Sequence, residues 1–248
     1  PPCAALHVCP HGIKTIINTR DMPTECGPVL KAGRQPKEDA FVVNSLKAAG
    51  AVIMGKTVTT EFAVYSPGKT SNPHDPARTP GGSSSGSAAS VAAGMVPLAV
   101  GTQTNGTFSR PAAFCCTVGF KPSHGSISRT GILSLSQTLY HVGVFARSVE
   151  DAALIADCLF GHDPLDSTSA DIPVPGFEAA LTGDIRGKTI GIPKEYRMDG
   201  MPAEIEKLGE VCTALLNDAS ATIVALPVAP PQSEMTRSCI VHPPVSLS

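Results

Sequence analysis

Apolar residues recur at helical spacing over residues 39–49 (DAFVVNSLKAA), and the pattern stops at Gly50, a common residue just past a helix end. The apolar run 51–54 (AVIM) that follows predicts a buried strand. Residues 65–82 are rich in Pro, Gly, Ser and Asn and predict a loop. Residues 84–95 (SSGSAASVAAGM) consist almost wholly of small side chains. They predict a helix able to approach neighbouring backbone closely. A strand is expected over residues 98–100, running into the polar segment GTQTNGT. Ser148 followed by Asp151 is a variant capping box, opening a helix that runs to about Phe160. After an irregular link over 161–187, the pattern predicts a strand (188–192), an amphipathic helix (202–217) with Pro202 in its first turn, and a strand (221–226). That spacing implies a parallel crossover, and the whole reads as an α/β protein.

Composition narrows the classes. Of 248 residues 42% are hydrophobic, enough for a sizeable core, and 19 basic against 21 acidic residues give a formal charge of −2. That balance supplies no electrostatic footprint for nucleic acid or an anionic membrane. No run of about 20 apolar residues exists to span a bilayer, and the chain opens at Pro1 without a basic-then-apolar leader, so a soluble cytoplasmic protein is expected. The eight cysteines lack a C-x-x-C pair and read as buried, reduced thiols. The seven histidines are scattered without ligand spacing, so neither a metal nor another cofactor is expected. Residues 228–248 form a Pro-rich, irregular tail after a domain spanning 1–227.

Two motif matches fail on context. Residues 50–57 (GAVIMGKT) fit a phosphate-binding loop, but a helix precedes the first glycine and the intervening residues are strand formers. Residues 82–86 (GSSSG) fit a nucleophile elbow, but the preceding NPHDPARTPGG cannot be the central strand that an elbow requires.

Polar groups around these matches remain. Lys56 follows a buried strand, where desolvation favours a neutral amine able to act as a base. The cluster 81–86 (GGSSSG) supplies relay hydroxyls, and successive amides over Thr104, Asn105, Gly106 and Thr107 suit an oxyanion. Base, relay, nucleophilic hydroxyl and oxyanion donors are what acyl transfer requires. A Ser/Thr/Gly loop network with capping roles alone fits the same residues equally well.

At these residues the sequence resembles the amidase signature family. The resemblance runs through GKTVTTEFA (55–63), GGSSSGSAASVAAGMVPLAVGTQTNGT (81–107), RPAAFCCTVGFKPSHG (110–125) and SVEDAALIADCLFG (148–161), and more loosely over 12–226. It implies a mixed, largely parallel sheet flanked by helices and a Ser–cis-Ser–Lys triad that hydrolyses an amide C–N bond through an acyl-enzyme. By position the base falls on Lys56, the relay on Ser83 in a cis Gly82–Ser83 peptide, and the nucleophile on Thr107. The oxyanion amides fall on Thr104, Asn105, Gly106 and Thr107. Arg110 and Gln103 match the malonamidase-like form, in which the arginine holds a substrate carboxylate.

Several residues depart from the family pattern. Thr107 stands where a serine is usual and adds a methyl beside the hydroxyl, so reduced activity is expected. Asn105 and Cys116 replace usual glycines, and Thr15 stands where an aspartate commonly follows Lys14. Residues 161–208 look like the tRNA-dependent branch of the family, the glutaminase chain of an aminoacyl-tRNA amidotransferase, which releases ammonia from glutamine for a partner subunit. The resemblance therefore implies a small-molecule amide substrate, with an amidase as the leading reading. The alternatives are a glutamine-hydrolysing subunit of such an amidotransferase and an inactive relative. The partners implied are a second copy of the chain, as a homodimer, or the companion subunits of an amidotransferase. Family members are longer, so sheet and pocket elements from a C-terminal region are expected to be missing.

Overall fold

The computed structural model describes residues 4–25, 32–63, 66, 68–193 and 202–226; the tail expected over 228–248 lies outside them. They divide into two compact units, one holding the described residues up to Ala180 and one those from Leu181 onward.

In the first unit, β1 (Pro10–Lys14) lies between β2 (Val52–Thr57) and β3 (Leu98–Gln103) and runs parallel to both. The strand β5 (His141–Ala146) pairs antiparallel with β3 and with β4 (Val118–Phe120), giving the order β2-β1-β3-β5-β4. All six residues of β3 are buried, as a central strand covered on both faces requires. Helices α1 (Phe41–Ala48) and α4 (Val149–Leu159) bury Val42, Leu46, Ile155 and Leu159 against Ile13, Val100, Val142 and Val144. On another core, α2 (Ser85–Ala92) and α3 (Ser109–Phe114) pack Ala88, Val91 and Ala112 with Phe108 and Phe145. The architecture is the expected α/β fold, a mixed sheet flanked by helices.

Local signals account for the element ends. Gly50 adopts φ +87° just after α1, and the Ser148 side chain accepts a hydrogen bond from the Asp151 amide at the start of α4. The small-residue helix α2 approaches the chain just after β2 so closely that a Cβ on Gly86 would lie 2.2 Å from the Val58 nitrogen. The segment resembling a phosphate loop is largely β2, and the strand continues through Lys56 to Thr57 where a phosphate loop would open a helix. The irregular link contains a short helix, α5 (Phe177–Ala180), whose first amides bond the Asp157 carboxylate.

The second unit is β6 (Thr189–Pro193), α6 (Ala203–Asp218) and β7 (Thr222–Leu226), with the two strands parallel. Pro202 stands immediately before the first residue of α6.

Candidate active site

Strand β1 ends in a lysine with no exposed surface. Lys14 Nζ lies 2.8 Å from Ser83 Oγ and 2.9 Å from Thr102 Oγ1. Burial holds the Lys14 amine well below the usual lysine range, because an ammonium there has lost its water. Ser83 is itself buried and follows Gly82 through a cis peptide bond, the geometry implied by the resemblance. A serine zipper fixes this loop to the sheet. Ser84 Oγ donates to the Thr102 carbonyl at 3.0 Å and accepts from the Thr102 amide, while Ser87 Oγ meets Thr57 Oγ1 and the Val100 carbonyl.

The lysine that meets Ser83 is thus Lys14, where the sequence pointed to Lys56. Strand register gives the reason. Lys14 pairs with Thr57, whose hydroxyl meets Ser87 of α2, whereas Lys56 pairs with Ile13, which belongs to the opposite core. Alternation along a strand therefore sends the two lysines to opposite faces. Lys56 Nζ donates to the Ile17 carbonyl, to Thr19 Oγ1 at 2.7 Å and to Thr24 Oγ1 at 3.2 Å.

Thr107 is nearly buried, and its hydroxyl donates to the Thr102 carbonyl at 2.7 Å. The amides of Thr104, Asn105, Gly106 and Thr107 have no acceptor among the described residues. Gly106 adopts φ +65°, while Asn105 keeps a negative φ, so its replacement of glycine costs no left-handed strain. Gln103 accepts from the Phe108 amide at 2.7 Å through its side-chain oxygen, bracing the turn from inside. Arg110 donates to the Gly82 carbonyl at 3.0 Å. Its side chain, with Thr60, Thr79, Gly81, Gly82 and Phe114, lines a cleft of about 410 Å³.

Thr102 joins all of these groups. Its carbonyl takes Ser84 and Thr107, its hydroxyl takes Lys14 and Tyr140, and it is fully buried. Chemically this is a desolvated amine on a buried serine hydroxyl, beside a second hydroxyl and a turn whose amides have no acceptor among the described residues. No local motif marks Thr102 as a member. The signals available for Lys14 were its place at the end of β1 and the aspartate that commonly follows that lysine, a position held here by Thr15.

The sequence matches the Amidase family over residues 2–243. The chain belongs to the Amidase family. It is 49% identical over 229 residues to the GatA-type chain of the Glutamyl-tRNA(Gln) amidotransferase of Cereibacter sphaeroides, covering 89% of this chain and 47% of that protein. The corresponding protein of Chloroflexus aggregans is 45% identical over 221 residues, or 87% of this chain and 45% of its own. The chain spans about half the length of these curated relatives. Among solved structures, the corresponding Glutamyl-tRNA(Gln) amidotransferase chain of Thermotoga maritima superposes with a TM-score of 0.83 at 32% identity, covering 89% of this chain and 50% of that one. The Stenotrophomonas maltophilia peptide amidase gives 0.79 at 36% identity, covering 90% and 48%.

The cysteines differ from the expectation of uniformly buried thiols. Cys115 is buried, Cys9 and Cys158 are half-buried, and Cys116 and Cys212 are exposed; Cys3, Cys26 and Cys239 lie outside the described residues. Among the described residues no group of His, Cys, Asp or Glu is placed to hold a metal ion, and no helix is long and apolar enough to cross a membrane.

Proposed function

We propose that the chain carries the amide-hydrolysing centre of a GatA-like glutaminase in a glutamine-dependent amidotransferase, with Lys14 as base, Ser83 as relay and Thr107 as nucleophile. The observation that carries this is the buried Lys14–Ser83 contact at 2.8 Å. The curated relatives at 45–49% identity, all named as the same chain of Glutamyl-tRNA(Gln) amidotransferase, favour glutamine over a generic amide.

The neutral Lys14 amine draws the Ser83 proton, and Ser83 in turn takes the proton of Thr107 as Thr107 Oγ1 attacks the amide carbonyl. For that step the Thr107 hydroxyl turns from the Thr102 carbonyl toward Ser83. The tetrahedral oxyanion is met by the amides of Thr104–Thr107, which make no other hydrogen bond among the described residues. Ammonia leaves with the proton returned through Ser83, and water then cleaves the Thr107 ester. Arg110, which lines the cleft, takes the substrate's carboxylate in this reading, a task for which its planar fork is suited.

Ammonia release from L-glutamine by the full chain, alone and with amidotransferase partner subunits, is the test. Glutamine is expected to be hydrolysed in preference to a peptide C-terminal amide, and Lys14→Ala to lower the rate by about 10²–10⁴. Preference for the peptide amide would replace this reading with a free-standing amidase. A second reading, a silent relative, draws on the Thr107 hydroxyl being committed to Thr102. Absence of covalent mass at residue 107 after treatment with a serine-directed acyl phosphonate would favour it. Arg110→Ala is expected to weaken turnover of carboxylated amides and leave neutral amides unchanged; equal loss on both would remove the substrate role.

A further inference from the structure

Tyr140 is fully buried, just before β5, in the same core as Ile13 and Val142. Burying a phenol without a partner is costly, and its hydroxyl donates to Thr102 Oγ1 at 2.9 Å. The same oxygen accepts from Lys14 Nζ at 2.9 Å. A threonine hydroxyl has two lone pairs and one proton. Two donors, Tyr140 from the core and Lys14 from the end of β1, fill both lone pairs.

We propose that Tyr140 is a positioning residue for the base: by occupying Thr102 Oγ1 it fixes Lys14 as a donor to Thr102 and thereby aims the amine lone pair at Ser83. A neutral amine has two N–H bonds and one lone pair. With the Thr102 oxygen already taking the Tyr140 proton, Nζ meets that oxygen through an N–H. Ser83, 2.8 Å away, is then the hydroxyl that faces the lone pair, with its proton directed to nitrogen. Without the phenol, Thr102 is free to rotate and donate its own proton to Nζ, which spends the lone pair on the wrong neighbour. It also becomes a stronger acceptor for the ammonium form. Ser83 and Thr102 are the side chains that bond Nζ among the described residues, and burial is the cause of its lowered affinity for protons. Lys56 and His11 stand at the alternate positions, on the other face of the two strands.

The proposal rests on Lys14 being the base of the proposed amidase reaction, and the experiment separates the two. Lysine carrying an ε-carbon isotope label is followed by NMR through a pH titration of the full chain, with Lys14 assigned by its loss in Lys14→Met. This readout needs no turnover. Tyr140→Phe is expected to raise the Lys14 midpoint by about one pH unit, because the ammonium gains a better acceptor. Thr102→Val is expected to lower it, because the acceptor itself is gone. Opposite signs are the signature; loosening of the core would admit water and raise both. An unchanged midpoint in Tyr140→Phe, or a rise in both variants, overturns the positioning role. Full amide hydrolysis by Lys14→Ala would instead overturn the parent reading, whatever the midpoints do.

Discussion

Lys14 closes β1 and Lys56 stands one residue before the end of the adjacent parallel strand β2, and that single residue of register decides which one reaches Ser83. The swap pair Lys14→Met and Lys56→Met separates their roles. Lys14→Met removes the proposed base; Lys56→Met removes the Nζ donor from the Ile17 carbonyl and the Thr19 hydroxyl, both in buried residues. The second variant is expected to lose about 1–3 kcal/mol of stability, read as a fall in denaturant midpoint, while the acid limb of its rate profile stays in place. Thr107 sets a second residue-scale expectation. Its γ-methyl stiffens χ1 and its hydroxyl is held by Thr102. Thr107→Ser is expected to raise the rate of acylation, and a lower rate would mean that the threonine rotamer is already productive. Ser83, Thr107 and the amide turn stood out as candidates in the sequence because they lie within two continuous blocks. Lys14 was not, because its contact with Ser83 spans 69 positions and depends on strand pairing.

Elements that speak through local chemistry were readable: α1 with its glycine stop, α4 with its Ser148 cap, and the β6–α6–β7 crossover. The antiparallel pairing of β5 with β3 and β4 was not, since no period in the sequence states a strand's direction. The composition of α2 has a physical reason that the structure supplies. Gly86 lets the helix lie against the Val58 backbone, and a methyl there would meet nitrogen at 2.2 Å. Gly86→Ala is therefore expected to cost about 1–3 kcal/mol by overpacking. Because Ser83 and Ser84 sit at that helix start, the same variant should lose activity faster than stability, measured by comparing residual rate with melting temperature. At the end of α3, Cys116 adopts φ +53° and is exposed where a glycine would carry no left-handed penalty. Cys116→Gly is expected to stabilise the protein by about 1 kcal/mol, measured by chemical denaturation.

For the molecule as a whole, the pH dependence of stability follows from groups gathered in the first unit. Burial, reinforced by Lys121, pushes the His141 ring down to about 4. The unfolded chain, with His near 6.5, then binds more protons than the folded one between about 4 and 6.5, so stability falls as pH drops through that window. Burial works against Asp163 and Asp166, but hydrogen bonds from Ser128 and Thr168 among others leave both carboxyls below their ordinary range. Their contribution is present above about 3.9 and is lost as pH falls further. On the alkaline side, burial and the neighbouring Cys116 push the Cys115 thiol up to about 11. There the unfolded chain releases its proton first, so stability falls as pH rises from about 8.5 toward 11. Lys14 works in the opposite direction. Its lowered affinity means that the unfolded lysine holds the extra proton, and stability rises with pH up to about 10.4. The melting temperature of the full chain is thus expected to fall below about pH 6.5, while above about 8.5 the raised thiols of Cys9, Cys115 and Cys158 oppose the lowered amines of Lys14 and Lys121. His141→Gln should reduce the acid slope, Cys115→Ala should make the alkaline slope more positive and Lys14→Met should make it more negative, whatever constant offset the lost side chain adds. An alkaline slope that is the same in Lys14→Met as in the unaltered chain would mean that the lysine at the centre of the site keeps an ordinary amine, and with it the ammonium form that cannot draw a proton from Ser83.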